Sequence, residues 1–253
     1  MKDIKDRIKV GIVSMCNHGL TDKCIKSCIK SGINDVYVFC NSSTINFDNS
    51  VRHDIAGRNI GVSYGWNMLV KDFLKSDKDY LFICNDDIIF MNNWHICAKH
   101  LDDERIGIVS PLLLERKFYD DISGSSNIFL NDWQNVCLFG CFGINRKTIE
   151  KIGMFDEEFE CCGEDSDYKA RIFKYALSSE NPILMMTDNS CYVFHYGGQS
   201  LKSSFNETRE KSKMANILFD RKHPEWPTLT RANYDRVSIE YGKKLECVKN
   251  GIE

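Results

Sequence analysis

No apolar run in this chain approaches the roughly 18–20 residues that a membrane-spanning helix needs, so no such helix is expected. The N-terminal stretch Met1-Lys2-Asp3-Ile4-Lys5-Asp6-Arg7 is charged and lacks the apolar core of a secretory signal. Prolines number only four and no low-complexity tract occurs, which argues against a long disordered linker. Neither sign of charge is in large excess: 33 basic and 36 acidic residues give a formal net charge of −3. The pI near 6.1 weighs against broad nucleic-acid binding, although a local basic groove remains open. There is no Cys-x-x-Cys and no internal repeat, so neither a zinc knuckle nor a solenoid is expected.

What is abundant is cysteine. Twelve residues include Cys24 and Cys28 four apart, Cys137 and Cys141 four apart, and the adjacent Cys161-Cys162. Without a signal peptide the expected compartment is a reducing cytoplasm, and most of these thiols are read as free, small buried hydrophobes. A length of 253 residues with 43% hydrophobic and 27% charged residues fits an ordinary globular protein of one large or two small domains.

Strand and helix signals alternate over the first 110 residues. Ile8 to Met15, Val36 to Cys40, Tyr80 to Cys84 and Ile106 to Pro111 read as short buried strands. A helix follows the first, opened by Thr21 and Asp22 as caps and closed by Gly32, and another covers Gly61 to Leu74. This alternation predicts βαβ units and a largely parallel sheet, with ligands beyond the carboxyl ends of the strands. The groups Asn41-Ser42-Ser43 and Asn85-Asp86-Asp87 lie at two such ends. Leu114 to Asn135 reads as loops or a short hairpin, and Cys137 to Ile144 is apolar and punctuated by glycine. Asn145 caps a helix from Arg146 to Ile152 that Gly153 ends. Gly163-Glu164-Asp165-Ser166-Asp167 opens a helix from about Tyr168 to Leu177. Ile183 to Met186 and Cys191 to Phe194 read as two late strands, and Asn206 to Asp220 as a last helix.

Four groups could carry chemistry. Adjacent carboxylates such as Asp86 and Asp87 repel unless a cation or donor neutralises them. Oxygen ligands of this kind suit Mg²⁺ or Mn²⁺, and the same residues would also make a plain polar turn. Glu164 or Asp165 at a helix start could act as a general base or simply favour the helix N-terminus, with Asp167 paired to Arg171. His195, ahead of Tyr196-Gly197-Gly198-Gln199-Ser200, could complete a metal site or be structural. Gly57-Arg58-Asn59-Ile60-Gly61 leads into a helix whose N-terminus, with Arg58, could face phosphate.

Taken in order, these segments resemble family 2 glycosyltransferases of the GT-A fold, the rhamnosyltransferase-like branch especially, from about Ile8 to Ser200. Val10 to Ser14 resembles the first nucleotide-binding strand, and Asn59-Ile60-Gly61 with Gly65-Trp66-Asn67 the "N-x-G…G-x-N" loop and helix. Leu81 to Asp87 is similar to the strand carrying a DxD-type motif, and Gly143 to Glu157 to the "iGgFDE" segment. Gly163 to Asp167 with Arg171 resembles "ED-x-D…R", and His195 to Ser200 resembles "H-x-G-G-x-S". Two positions depart from the pattern: Asn85 stands first in the DxD-type motif, and Cys40-Asn41 ends the second strand where the family often has Asp.

The resemblance implies an α/β GT-A domain over residues 1–200, Rossmann-like, with a mostly parallel central sheet flanked by helices. A charged helical extension, 201–253, packs on it. It implies an inverting transferase that moves a sugar from a nucleotide-sugar donor to a hydroxyl of a glycan, lipid-linked saccharide or glycoprotein. Asp165 would be the base, with Glu164 the second choice. Asp87 and His195 would hold Mn²⁺ or Mg²⁺. Ser14, Asn41, Arg58, Asn59, Asn67, Asn85 and Asp86 would bind the donor. Trp133 is the first choice for stacking on an acceptor sugar, with Trp94 and Trp66 as alternatives. Two other readings stand beside this one. A transferase acting on modified DNA bases would need a basic groove from Lys202, Arg209, Lys211, Lys213, Arg221 and Lys222. A non-catalytic sugar-binding protein could have kept the fold. No feature of the sequence specifies an oligomeric state.

Overall fold

The computed structural model describes residues 2–15, 19–44, 47, 51–115, 128–129, 139–197, 205–225, 242–244 and 246–247. Among them are nine strands: β1 (Ile8–Ser14), β2 (Val36–Cys40), β3 (Arg52–Ile55), β4 (Tyr80–Asn85), β5 (Ile88–Phe90), β6 (Ile106–Glu115), β7 (Ile128–Phe129), β8 (Cys141–Asn145) and β9 (Leu184–His195). The α-helices are α1 (Leu20–Lys30), α2 (Val62–Leu74), α3 (Arg146–Ile152), α4 (Glu164–Ser178) and α5 (Phe205–Lys222), with 3-10 helices at Ile4–Arg7 and Trp94–Asp102. No helix among the described residues is long and apolar enough to cross a membrane.

The strands form one sheet in the order β3-β2-β1-β4-β8-β6-β9-β5, with β7 also on β9. Its first four strands are parallel, as the βαβ pattern predicts. β8 then enters antiparallel between β4 and β6, and β9 runs parallel to β6. Every residue of β1 and β2 is buried, which is why both read as continuous apolar runs.

Alternation along β1 assigns its two faces. A Cβ on Gly11 would stand 2.7 Å from Leu69 Cδ1, and one on Gly65 would stand 2.9 Å from Val13. Gly11 and Val13 therefore face α2, which approaches the strand closely because both contact points lack a side chain. Ser14, one residue on, points the other way and meets Thr21 of α1. The two helices thus cover opposite faces of β1.

Several boundaries differ from the sequence reading. α1 starts at Leu20 on a left-handed Gly19, not on a Thr21 or Asp22 cap, because Thr21 is turned inward. α4 starts at Glu164, about four residues earlier than expected, on Gly163 with φ +85°. The two late strands are one strand, β9, whose register against β6 shifts between Pro111 and Leu112. The polar stretch Thr187-Asp188-Asn189-Ser190 hid that continuity. Asn145 caps α3 as expected, accepting from the Thr148 amide at 2.9 Å. Most of Leu114 to Asn135, including Trp133, lies outside the described residues.

Of the cysteines, Cys24, Cys28, Cys84, Cys97, Cys141 and Cys191 are buried thiols. Cys40 departs from the free-thiol expectation, being disulfide-bonded. Gly11→Ala should lower unfolding stability by about 1–3 kcal/mol, the usual range for an overpacked core. Urea denaturation of the variant beside the parent measures this, and an unchanged midpoint would mean that α2 does not rest on β1 as described.

Candidate active site

The turn after β4 places the first half of the site. Asp86 and Asp87 lie between β4 and β5 and are both buried. Asp86 Oδ2 accepts hydrogen bonds from Ser14 Oγ at 2.7 Å and Thr21 Oγ1 at 3.1 Å. Burial pushes the Asp86 carboxyl up from its usual range, and those hydroxyls, with the Met15 backbone, oppose the shift. Ser14 is itself fully buried. Ser14 and Asp86 therefore tie the ends of β1 and β4 to α1.

The antiparallel pairing of β5 with β9 sets Ile88 opposite His195, and the Tyr196 amide donates to Asp87 O at 3.0 Å. That register brings His195 Nε2 to 3.2 Å from Asp87 Oδ1. Nε2 is buried and has no hydrogen-bond partner. An imidazole nitrogen and a carboxylate oxygen converge here without sharing a hydrogen bond, an arrangement suited to a shared cation. The pair fits Mn²⁺ or Mg²⁺ when phosphate oxygens and water complete the coordination. Among the described residues no group of three or more His, Cys, Asp or Glu side chains comes together in the manner of a self-sufficient metal site.

The second half lies at the start of α4. Glu164 Oε2 is buried without a partner, and burial, with Asp165 beside it, pushes the Glu164 carboxyl up to about 8. Asp165 instead has a counter-charge, Lys169 Nζ, at 3.3 Å one turn on. The Asp-x-x-x-Lys spacing carried that signal, and the sequence reading did not use it. Asp167 accepts from Arg171 Nε at 2.9 Å and lies 2.9 Å from His223 Nε2, beyond the end of α5. It is structural, as its expected pairing with Arg171 implies.

Two consecutive residues join the halves. A Cβ on Gly140 would lie 3.8 Å from His195 Nε2, and Lys169 Nζ sits 4.9 Å from the centre of the Phe139 ring. The metal-type pair and the α4 carboxylates therefore flank one stretch of chain.

Three of the residues expected at the donor make hydrogen bonds within the protein. Asn41 donates to Asn59 Oδ1 at 2.9 Å and accepts from the Ile60 amide at 2.8 Å, and Asn59 Oδ1 accepts from the Gly61 amide. Asn41, buried, and Asn59, exposed, together hold the 57–61 loop. Asn67 exchanges hydrogen bonds with the Phe155 backbone, donating at 2.9 Å and accepting at 2.9 Å, and also donates to Glu157. The amides that open α2 do not all face outward: Val62 N donates to Glu160 O at 2.8 Å. Arg58 is exposed and Asn85 half-buried. Trp66 packs among Phe139, Phe142 and Phe155. Trp94 lies against Phe82 and Phe90 and donates to Ser31. Both alternatives for acceptor stacking are thus core residues.

No protein-family model and no curated protein matches the chain. Solved structures do. A mannosyltransferase from Pyrobaculum calidifontis, in complex with GDP-Man and Mn²⁺, superposes with a TM-score of 0.57 at 14% identity over 80% of this chain. The chain spans 60% of that protein's length. S. aureus TarS 1-349 in complex with UDP-GlcNAc superposes with a TM-score of 0.56 at 12% identity, covering 93% of this chain and 71% of TarS 1-349. The fold is the GT-A glycosyltransferase fold.

The raised Glu164 carboxyl has a measurable consequence. Between its unfolded value near 4.5 and about 8, the native state holds a proton that the unfolded state has lost, so stability falls as pH rises through this window. Glu164→Gln removes that slope. Its urea midpoint relative to the parent should rise from about pH 6 to about pH 9, and a difference independent of pH would contradict the assignment.

Proposed function

We propose that this protein is a metal-dependent, inverting glycosyltransferase that moves a sugar from a nucleotide-sugar donor to a hydroxyl of a glycan, lipid-linked saccharide or glycoprotein. The convergence of Asp87 and His195 with an unpartnered Nε2 carries the reading. Support comes from the GT-A fold and from neighbours solved with GDP-Man and UDP-GlcNAc. The rhamnosyltransferase-like branch suggested by the ordered motifs belongs to this proposal.

Asp87 and His195 would hold Mn²⁺ or Mg²⁺, which would neutralise the charge that develops on the departing nucleoside diphosphate. Arg58, exposed on the loop before α2, is the basic side chain assigned to the diphosphate. Asn85, half-buried at the end of β4, is the polar side chain assigned to the donor. Asp165 accepts the acceptor's hydroxyl proton as that oxygen attacks the anomeric carbon, and Lys169 holds the carboxylate beside it. A single displacement inverts the anomeric centre. Glu164, with its carboxyl raised to about 8, is mostly protonated near neutrality and is the second choice.

The DNA-directed alternative loses ground. Lys213 pairs with Glu210, Arg221 with Glu158, and Lys222 with Asp156 and Glu158, so three of the six residues required for a basic groove already face carboxylates.

A panel of nucleotide sugars with and without Mn²⁺ tests the proposal, read by donor hydrolysis and by thermal shift. The expected result is one preferred donor whose turnover needs Mn²⁺ and disappears in Asp87→Ala. Asp165→Asn should lower kcat by about 10²–10⁴-fold, the usual effect of losing a general base, while leaving donor-induced stabilisation in place. Normal turnover by Asp165→Asn would remove Asp165 from the mechanism. Donor binding without turnover in the parent would favour the sugar-binding alternative.

A further inference from the structure

Cys161 and Cys162 are half-buried thiols that immediately precede Gly163 and the α4 carboxylates. Neighbouring residues in extended chain point to opposite sides, yet these two sulfurs lie 3.6 Å apart. The cause is the backbone at Cys162, where φ is +73°; no other described non-glycine residue has a positive φ. A left-handed residue turns its side chain back beside its predecessor's, and for a residue with a Cβ that conformation is disfavoured. Gly163 follows with φ +85°.

This double left-handed turn is held at both ends. Glu160 O accepts the Val62 amide, and a Cβ on Gly61 would lie 3.1 Å from Glu160 Cα. A Cβ on Gly163 would lie 2.9 Å from the Phe159 ring and 3.2 Å from Ala215 of α5. With Glu160 fixed by the Val62 amide, a movement that brings the sulfurs together falls on the 162–163 backbone, which leads directly into the first turn of α4.

We infer that Cys161 and Cys162 form a thiol-modification site that reacts with a low-molecular-weight disulfide and closes to a vicinal disulfide. The Cys161 thiolate attacks a sulfur of the small disulfide, forming a mixed disulfide and releasing one small thiol. It reacts first because the hydrogen bond with Cys161, burial and the Glu164 and Asp165 carboxylates push the Cys162 thiol well up. The second thiolate then attacks the protein sulfur of that mixed bond and releases the other small thiol. The two cysteines lose two electrons and two protons, and the small disulfide is reduced to two thiols. Closing the ring redirects the 162–163 backbone and with it the turn that carries Glu164 and Asp165. The chemistry at the thiols is independent of the proposed transferase activity; its effect on turnover rests on that reading.

The full chain is incubated with oxidised glutathione and followed by intact mass, peptide mapping and amide hydrogen exchange over residues 163–168. The expected product has lost about 2 Da, the mass of two hydrogens. It carries a Cys161–Cys162 link and shows altered exchange in the first turn of α4. Cys161→Ser and Cys162→Ser should each stop at a single glutathione adduct. Cys162→Gly, which suits the left-handed backbone, gives a well-folded second variant with the same block. In the parent, turnover should fall by about 10–100-fold, as when a catalytic group is misplaced, and return with dithiothreitol. Cys161→Ser should not show this response. A persistent mixed adduct, a link to Cys247, or closure with unchanged exchange in α4 would overturn the inference. Loss of turnover in the parent tests only the transferase reading, because mass and exchange do not depend on it.

Discussion

A carboxylate removed from water must be given a partner, a cation or a proton, and this chain places three buried ones, Asp86, Asp87 and Asp167, with the half-buried Glu164 and Asp165, in two short stretches, 86–87 and 164–167. Each is compensated differently. Asp86 receives two buried hydroxyls, Ser14 and Thr21. Asp87 faces His195. Asp165 has Lys169, and Asp167 has Arg171 and His223. Glu164 Oε2 has no partner, and its carboxyl is raised to about 8. Neighbouring acids with unlike surroundings acquire unlike roles. Hydroxyl donors make Asp86 a tie between strands, and a guanidinium with an imidazole N–H makes Asp167 a tie between α4 and the end of α5. An unpartnered buried atom remains on His195, beside Asp87, and on Glu164, beside the partly exposed Asp165.

The asparagines do a different job. Asn41, Asn59 and Asn67 hydrogen-bond within the protein, holding the 57–61 loop and fastening α2 to Phe155 and Glu157. Ser63 adds a bond to Phe159 O at 2.6 Å. The loop before α2 and the segment before α4 are thereby locked together, although about 100 residues separate them in the chain. A motif that looks like ligand recognition in sequence can equally be the means of keeping two ligand-facing segments in register, and only the partners of its amides tell these apart.

The parallel strands, the α3 cap at Asn145 and the clustering of acids at strand and helix ends were legible because each rests on local pattern: buried apolar runs, a capping side chain, a glycine stop. β3 was not legible. Its sequence Arg52-His53-Asp54-Ile55 is polar and mostly exposed, as an edge strand can be, and its pairing with β2 is visible only in the sheet. The continuity of β9 was obscured for a related reason: its polar middle follows Asp188, whose carboxylate accepts from the Ser190 amide at 2.9 Å. In the site, residue types pointed to Asp87 and His195, but their approach depends on β5 pairing with β9 across about 100 residues. Whether Ser14 and Asn67 face inward or outward was likewise beyond local pattern, because it depends on which helix covers which face.

The two halves of the site are held by different elements. Asp87 and His195 are set by β4, β5 and β9, whereas Asp165 and Lys169 ride on α4, which packs through Tyr168 and Phe173 into the core. What touches both is the short lead into β8. Phe139 lies under Lys169 and packs on Phe142, with ring centres 4.2 Å apart. Gly140 O accepts the Asn85 amide at 2.9 Å, fixing that glycine to the end of β4. A side chain on Gly140 would press into Leu113 at 2.6 Å before reaching toward His195. Glycine is needed there because β4, β6 and the imidazole all close on one point. The aromatic one residue earlier fills the core between Trp66, Phe142 and Tyr168 and lies under the ammonium that pairs with Asp165. In this way a turn of two residues lies beside the Asp87–His195 pair on one side and beside Lys169, the partner of Asp165, on the other.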